Sequence, residues 1–404
     1  RVLFRSHQES HHARGTPDRH RRDRAMIVKM RRTATDNEIA AVESMLVDRG
    51  YTTGKLVGTD RTLVGVYGDV SQLSQPDVQK MAGVEGLIAI SRKYKRAAQK
   101  GDPTNRVYVN FDIGTEHPVH IGKDLVIVAG PCSVEGERQI MESAEMVKEA
   151  GGHILRGGVH KYRSSPYSGW EGIGAGSEDA LREGLELVVK AGRAYEMPVA
   201  VEILDHNAIP VYEDAGVDCL QIGEPNSRNT ILLNALRESD LPVIHKRGNA
   251  VDCEDYLLWV ERMMTGGKEN IVLCERGIGS ANKYTRNTLD LGSVAAFHYQ
   301  LTGLPIAVDA SHGVGVRDLV HPLSVASIFA GADVLLLEAH PNPLIAKSDG
   351  FQALFPEQLT SLVKAAQEAY KLRQTMEHLY VPSRVYEPDY EARISDDRAR
   401  FFGE

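Results

Sequence analysis

A regular alternation of short apolar runs and amphipathic stretches constrains the fold of this chain more than any other feature of its sequence. Short continuous apolar strands that alternate with helices indicate parallel β-structure. Eight such units within about 240 residues predict a (β/α)8 (TIM) barrel over residues 125–372. The alternative, a doubly wound sheet, usually has fewer strands and a glycine-rich first turn. The eight apolar runs are 125–129, 153–155, 198–201, 218–222, 242–244, 271–274, 305–308 and 334–337.

A smaller unit precedes the predicted barrel. Residues 26–95 show the order strand, helix, strand, strand, helix, strand, which is typical of a ferredoxin-like α+β domain. They contain no cysteine, glycine-rich phosphate loop or carboxylate pair. We therefore expect this unit to act in regulation, assembly or packing rather than in catalysis. Residues 96–124 are expected to be a linker that leads into the barrel.

The two ends of the chain differ from both units. Residues 1–25 carry seven arginines against three acidic residues and show no apolar periodicity, so we expect a disordered basic leader. Residues 373–404 are rich in charge and in aromatic side chains. We expect them to form an extension outside the barrel.

Composition narrows the class of protein further. Of the 404 residues, 42% are hydrophobic, which excludes disorder throughout. The net charge of −8 argues against a nucleic-acid partner. Four cysteines are too few for a disulfide framework. Because no apolar run approaches the roughly 18 residues of a membrane span, we expect a cytoplasmic protein with no membrane partner.

Residues with metal-binding chemistry follow three of the predicted strands. In a (β/α)8 barrel all strand ends of this kind open onto one face, which holds the active site. One thiol, one imidazole and two carboxylates suit a divalent transition metal such as Mn, Fe, Co or Zn better than Mg or Ca. Each residue alone is more simply a buried thiol or a solvated loop residue, but together they favour a metal site. The four residues are Cys132, His312, Glu338 and Asp349.

A group of cationic residues follows other predicted strands. Arginines and lysines that converge on one face predict an anionic substrate, most simply one with phosphate and carboxylate groups. Surface ion pairs with the many acidic residues are the alternative, but the position at strand ends rather than on helix faces favours a substrate site. The group comprises Arg156, Lys161, Arg163, Lys246, Arg247 and Arg276.

Several motifs at these strand ends resemble those of one enzyme family. From Met26 to about Leu372, the chain resembles the type Iβ 3-deoxy-D-arabino-heptulosonate 7-phosphate (DAHP) synthases, which carry an N-terminal ferredoxin-like domain. Some of the motifs are shared with the sister 3-deoxy-octulosonate 8-phosphate synthases. The motifs are Ala129-Gly130-Pro131-Cys132-Ser133, Leu155-Arg156-Gly157-Gly158, Lys161-Tyr162-Arg163-Ser164-Ser165-Pro166, Leu273-Cys274-Glu275-Arg276-Gly277, Asp309-Ala310-Ser311-His312, Glu338-Ala339-His340-Pro341 and Ser348-Asp349-Gly350.

The resemblance implies a metal-dependent, aldol-type condensation of phosphoenolpyruvate (PEP) with erythrose 4-phosphate, the first step of the shikimate pathway. It implies that the thiol, imidazole and carboxylate group above binds the metal and that Arg163 and Ser164 bind the aldose phosphate. It also implies a homo-oligomer and an aromatic amino-acid effector. The residues that it places at PEP are Arg156, Lys161, Lys246 and Arg276, with Glu202 beside them.

Lys161, Glu202 and Asp309 are the expected catalytic residues. Lys161 is expected to protonate the developing alkoxide, and we expect the surrounding cations to lower its pKa towards the working range. Glu202 is a candidate base for the water that adds to PEP.

The chain departs from the family beside the expected phosphates. Residues 223–226 read Gly-Glu-Pro-Asn, so Pro225 stands where the family usually has an arginine. Arg228, three residues later, is the expected substitute. These changes leave open a related condensing enzyme with another aldose or a modified donor, or a non-catalytic regulatory homologue. On the residues alone, a metal-dependent barrel hydrolase also stays open.

Overall fold

The structure, a computed structural model, describes a large part of the chain. The predicted leader lies outside the described residues apart from Ala25, and so does the chain beyond residue 380. The chain divides into two compact units, with the boundary in the sequence between residues 92 and 93. The described residues are 25–57, 61–67, 70, 73–89, 94, 96–98, 106–116, 118–162, 167 and 170–380.

The first unit is a four-stranded antiparallel sheet with two helices. The strand order β2-β3-β1-β4 and the element order β-α-β-β-α-β confirm the predicted ferredoxin-like fold. The elements are β1 Ala25–Met30, α1 Asp36–Asp48, β2 Thr52–Val57, β3 Thr62–Tyr67, α2 Gln75–Gln79 and β4 Val84–Ala89.

Local sequence signals explain where α1 begins and how it packs. The Thr35 side chain accepts a hydrogen bond from the Glu38 backbone N–H, and the Glu38 carboxylate accepts one from the Thr35 N–H, which forms a capping box. Val42 and Leu46 lie one helical turn apart and are buried against the sheet. Alternation along β1 adds Val28 to the same core.

The second unit contains a closed barrel of eight parallel strands. Each predicted apolar run overlaps one strand, so the predicted (β/α)8 barrel is confirmed and the doubly wound alternative is wrong. The strands read as continuous apolar runs because both of their faces are buried. They are β7 Val126–Gly130, β8 Ile154–Arg156, β9 Val199–Ile203, β10 Cys219–Ile222, β11 Val243–Lys246, β12 Ile271–Glu275, β13 Ile306–Val308 and β14 Val334–Glu338.

Helices alternate with these strands. In α4, for example, Leu181, Leu185 and Val188 repeat at helical spacing and are buried in the main core. A five-residue π-helix, Phe297–Leu301, continues α8, and α11 runs four residues past the predicted end of the barrel at Leu372. The helices are α3 Glu137–Glu149, α4 Glu178–Ala194, α5 Ile209–Asp214, α6 Thr230–Leu236, α7 Cys253–Met264, α8 Leu291–Ala296, α9 Ala310–Val314, α10 Arg317–Ala330 and α11 Pro356–Met376.

A short hairpin closes the amino-terminal end of the barrel. Strands β5, Val109–Phe111, and β6, Val119–Ile121, pair antiparallel within the segment expected to be a linker. Their four apolar side chains join a core cluster that takes residues from the interior of all eight barrel strands. The hairpin is therefore a plug, and the segment is not simply a connection. No helix in the described part of the chain is long and apolar enough to cross a bilayer.

Candidate active site

The four predicted metal ligands meet at the carboxyl ends of the strands. Cys132 follows β7, Glu338 ends β14, and Asp349 lies in the loop after β14. Each of the three offers a ligand atom, and these atoms lie within 4.8 Å of one another. His312, on α9 after β13, places its Nε2 3.3 Å from the Glu338 Oε1. Residues far apart in the chain thus form one group of soft, intermediate and hard ligands.

Gly130 allows β7 to deliver Cys132 to this group. Its φ of +148° lies in a region that favours glycine, and a Cβ there would come within 2.2 Å of the Arg156 carbonyl oxygen. β7 can therefore pass close to the end of β8. The Cys132 thiol then donates to the Asp349 Oδ2 at 3.0 Å.

Neighbouring side chains orient the candidate ligands. Asp309 Oδ2 lies 2.7 Å from the Nδ1 of His312, which leaves the Nε2 of that ring directed at the group. Gln352 Nε2 donates to the Glu338 Oε2. Arg156 Nη1 contacts the other Glu338 oxygen at 2.9 Å. These contacts fix ring and carboxylate directions before any ion binds.

The protonation of the group fits a cation site. Burial, with a contribution from Glu338, raises the pKa of the Cys132 thiol to about 12. Burial alone raises the pKa of Glu338, but His312 and Arg156 outweigh it and hold that pKa at about 2. A divalent cation would displace the thiol proton, because thiolate is the form that binds metals. The donor set and its orienting partners therefore fit a transition metal.

Lys161 and Glu202 form a buried ion pair beside this group. The Lys161 Nζ donates to the Glu202 Oε2 at 2.9 Å. Burial alone lowers the pKa of Lys161, but Cys132 and Glu202 outweigh it and raise that pKa above its usual value. The expected lowering of the Lys161 pKa is therefore wrong. Burial opposes the ionised form of Glu202, yet Lys161 and Lys246 hold its pKa at about 2.

Asp309 connects the metal group to a second cation. It contacts the Lys246 Nζ at 2.8 Å and the His312 Nδ1 at 2.7 Å, and its own side chain is fully buried. Its carboxylate also caps α9 by accepting the His312 backbone N–H at 3.0 Å. In this arrangement Asp309 orients His312 and Lys246.

The predicted cations fall into two classes. Arg247 is neutralised, because its guanidinium contacts the Glu275 carboxylate at 3.1 Å and the Asp290 carboxylate at 3.0 Å. Arg276 is 95% buried and forms no ion pair with a described carboxylate. The Nε atoms of Arg156, Arg247 and Arg276 are buried without a hydrogen-bond partner among the described residues, but only Arg247 has two carboxylates against its guanidinium. Buried guanidinium donors of this kind indicate an anionic ligand.

The remaining predicted substrate residues are Arg163, Ser164 and Arg228. Arg163 and Ser164 lie outside the described residues. Arg228 is exposed and contacts no described side chain through an ion pair. Glu224, on the same loop, accepts the Asn249 backbone N–H at 3.2 Å and so joins the loop after β10 to the loop after β11.

Sequence reasoning missed residues that support the site from loops. Gln352 and Ser348 are examples: Gln352 binds Glu338, and the Ser348 hydroxyl lies 3.2 Å from the Cys132 sulfur. Trp170 donates its indole N–H to the Ser133 hydroxyl at 3.2 Å. Ser348 stands in a quoted motif, but no periodicity or spacing marks Gln352 or Trp170.

Comparisons with known proteins relate this chain to one enzyme family. Residues 110–375 match the DAHP synthetase I family, and residues 26–92 match the DAHP synthase ferredoxin-like domain. The phospho-2-dehydro-3-deoxyheptonate aldolase of Thermotoga maritima is 36% identical over 352 residues, which cover 87% of this chain and 98% of that protein. A crystal structure of the Thermotoga maritima DAHP synthase superimposes with a TM-score of 0.70 at 34% identity, covering 88% of this chain and 98% of that one.

A second group of relatives shares mainly the barrel. The 2-dehydro-3-deoxyphosphooctonate aldolase of Francisella tularensis subsp. holarctica is 31% identical over 258 residues, which cover 60% of this chain and 87% of that protein. The ferredoxin-like unit and the near-complete match to the Thermotoga maritima protein distinguish the two groups. This chain belongs to the DAHP synthetase I family.

Proposed function

We propose that this chain is a transferase that condenses PEP with erythrose 4-phosphate to give DAHP and phosphate, the first step of the shikimate pathway. The observation that carries the proposal is the convergence of a four-ligand metal group, the Lys161–Glu202 ion pair and the unpaired donors of Arg156 and Arg276 at one barrel face. The family match supports the same reaction.

The family is generally metal-dependent, and this chain holds a matching group of ligands. We propose Cys132, His312, Glu338 and Asp349 as the residues that hold the ion. The thiol and imidazole favour Mn, Fe, Co or Zn. When bound, such an ion polarises the aldehyde carbonyl as a Lewis acid.

PEP carries a phosphate and a carboxylate, which need cationic partners. We assign these to Arg156 and Arg276, whose buried Nε–H groups lack acceptors among the described residues, together with Lys161 and Lys246. Arg163 and Ser164 are proposed for the aldose phosphate. Pro225 stands where the family usually has an arginine. We propose that Arg228 replaces this arginine, because it lies on the same exposed loop.

Proton transfers follow from the ion pair. PEP C3 forms a bond to the aldehyde carbon while the Lys161 Nζ gives a proton to the aldehyde oxygen. Water then adds to C2 of the donor, and the Glu202 carboxylate accepts its proton. The C2–O bond to phosphate then breaks while the proton of the new C2 hydroxyl passes to the departing phosphate, which leaves a ketone. Lys161 suits the first transfer because Glu202 keeps it protonated before the reaction.

Phosphate release from a panel of acceptors tests this function. Protein loaded with Mn²⁺ is incubated with PEP and with phosphorylated or free aldoses, and the products are weighed by mass spectrometry. Erythrose 4-phosphate should release phosphate fastest and give the mass of DAHP. Release with a different aldose only would instead support the related condensing enzyme, which the Glu224-Pro225 sequence favours. No release with any acceptor would support a non-catalytic homologue.

We further propose that the ferredoxin-like unit regulates the barrel or mediates homo-oligomer formation, with an aromatic amino acid as effector. The setting proposed is a reducing cytoplasm, which four unpaired cysteines support. Deleting residues 1–95 should leave turnover possible and change either the oligomeric state, measured by light scattering, or the response to phenylalanine and tyrosine. If neither changes, the unit is a passive appendage.

A further inference from the structure

The Arg317 side chain binds the loop that follows β14, residues 339–355. The Arg317 Nε donates to the Ala353 carbonyl oxygen at 2.5 Å, and its Nη2 donates to the Gly350 carbonyl oxygen. The same guanidinium lies over the Phe355 ring, 4.5 Å from its centroid. A planar guanidinium can donate to two acceptors and stack at once, which fixes the loop in position and orientation.

Asp349 lies in this loop and has an unusual backbone conformation. Asp349 has a φ of +53°, in the left-handed region that few residues other than glycine adopt. Its carbonyl oxygen accepts the N–H groups of Gln352 at 3.1 Å and Ala353 at 3.2 Å, which closes a tight turn. Such a conformation persists only where the surrounding structure holds it. Arg317 binds the two outward carbonyls of this turn, those of Gly350 and Ala353.

The turn controls two of the proposed metal ligands. Asp349 is itself one ligand, and Gln352 holds the Glu338 carboxylate through its side-chain amide. Arg317 begins α10, which directly follows α9, the helix that carries His312. The arginine thus ties the segment of a third ligand to the loop of the other two.

We propose that Arg317 is a positioning residue for the metal centre, which it preorganises by holding the turn of residues 349–353. This inference rests on the proposed metal site. Partners outside the ligand set that orient metal ligands are commonly worth about 10–100-fold in metal affinity. Replacement of Arg317 should therefore weaken metal binding selectively and not only destabilise the fold.

Arg373 offers a matched control in the same unit. Its Nη1 donates to the carbonyls of Ile328 at 3.2 Å and Ala332 at 3.0 Å, and its guanidinium lies 5.8 Å from the Tyr370 ring centroid. It therefore also binds two backbone carbonyls and an aromatic ring, but at the carboxyl end of α10, away from the ligands. The Arg373→Ala variant therefore measures what an arginine with these contacts contributes to folding alone.

The experiment titrates full-length wild-type, Arg317→Ala, Arg317→Lys and Arg373→Ala proteins with Mn²⁺ by calorimetry and records their unfolding temperatures without metal. Arg317→Ala should raise the Mn²⁺ dissociation constant about 10–100-fold. Arg317→Lys keeps the charge but not the planar fork, and should recover part of the loss. Arg373→Ala should lower the unfolding temperature and leave the dissociation constant unchanged. Equal Mn²⁺ affinity of Arg317→Ala and wild type, or an equal loss in Arg373→Ala, would overturn the inference.

A second variant, Gly350→Ala, tests the same inference if Arg317→Ala does not fold. A Cβ at Gly350 would lie 2.3 Å from the Pro343 carbonyl oxygen, so Gly350→Ala pushes the same turn from its other side while Arg317 stays. It should also weaken Mn²⁺ binding, and wild-type affinity in this variant would contradict control through the turn. If the wild-type protein itself binds no Mn²⁺, Fe²⁺, Co²⁺ or Zn²⁺, the proposed metal site fails; the Arg317 inference fails alone when wild type binds and its variants bind equally.

Discussion

The two ends of the eight-stranded barrel differ in the side chains that fill them. At the amino end, the hairpin of β5 and β6 fills the barrel with Val109, Phe111, Val119 and Ile121. At the carboxyl end, charged and polar side chains are also buried, and several keep donors without a partner in the described part of the chain. Burying a donor unpaired costs about 1–3 kcal/mol. The unpaired donors therefore lie where a ligand can satisfy them, while the amino end has the composition of a core.

Charged residues near the amino end strengthen the contrast. Arg106 and Asp333 form an ion pair there, and the Asp333 carboxylate also accepts the Ile306 backbone N–H at 2.8 Å. Arg373 donates to two carbonyls and contacts His298 at 2.8 Å. These groups are paired with one another, whereas the Nε atoms of Arg156 and Arg276 have no partner within the described ranges. One end is built for stability and the other for an anionic substrate.

Removal of the metal ligands should have the largest effect on this contrast. We expect Cys132→Ser and His312→Ala to lose the ion and all turnover, and a strong chelator to abolish activity of the wild type. The unfolding temperature of the apo protein should change little. The proposed ligands lie at the carboxyl end of the barrel, its mouth, and not in the plug. Metal content by elemental analysis and phosphate release check this. Full turnover in chelator by protein that contains no metal would exclude the site.

Replacement of Lys161 should have the next largest effect. Loss of a positioned proton donor typically costs about 10²–10⁴-fold in rate. Lys161→Gln should therefore reduce kcat by that factor while Mn²⁺ still binds, since the hydrogen bond of the Nζ goes to Glu202, which is not a proposed ligand. Single-turnover phosphate release measures the rate. An unchanged kcat would assign the proton transfer to another group.

Much of the fold could be predicted because buried parallel strands are apolar throughout. The four proposed metal ligands could be predicted for a related reason: in a barrel, position directly after a strand determines the face. The plug could not, since Val109–Phe111 lies outside the repeated alternation of apolar runs and helices that marks the barrel strands.

The pairing of charges at the mouth could not be predicted either. Arg247 and Arg276 follow neighbouring strands in the same way, yet only Arg247 is neutralised. Its partners, Glu275 and Asp290, come from the next strand and from the end of the following loop. The role of Arg317 likewise depends on the path of the loop after β14. Motif position therefore identifies the face, while side-chain contacts decide which residues are available to a ligand.

Truncation of a plug side chain tests the contrast at the amino end of the barrel. Phe111 is buried within the barrel interior cluster, so Phe111→Ala should lower the free energy of unfolding by about 3–5 kcal/mol. Mn²⁺ affinity should stay within the error of wild type. Denaturant unfolding and calorimetry measure the two quantities. A large loss of metal affinity would mean that the two ends are coupled, contrary to the division described above.

His245 tests burial just below the mouth. Its side chain is fully buried, its Nε2 donates to the Ser227 carbonyl oxygen at 2.9 Å, and burial lowers its pKa to about 4. The unfolded chain takes up this proton near pH 6.5 and the folded protein only near pH 4, so stability is lost as pH falls through that window. Between pH 7 and pH 5 the loss should be roughly 2 kcal/mol.

The matched variant for this pH effect is His245→Gln, which keeps a donor but does not titrate. The difference in unfolding free energy between wild type and variant should shrink as the pH falls from 7 to 5, because only wild type loses the His245 contribution. Parallel pH curves for the two proteins would show that His245 is not kept neutral by burial.

Arg228 tests the exposed rim of the mouth, and its replacement should affect donor binding alone. Loss of an arginine–phosphate contact costs about 1.5–3 kcal/mol, so Arg228→Ala should raise the KM for PEP more than tenfold and leave Mn²⁺ affinity unchanged. Pro225→Arg with Glu224→Ala should then matter little, because Arg228 already supplies the charge. Steady-state kinetics at saturating erythrose 4-phosphate measure both. If Arg228→Ala is silent and the double variant gains PEP turnover, the rim of the wild-type protein is not built for ordinary PEP, and a modified donor becomes the better substrate hypothesis.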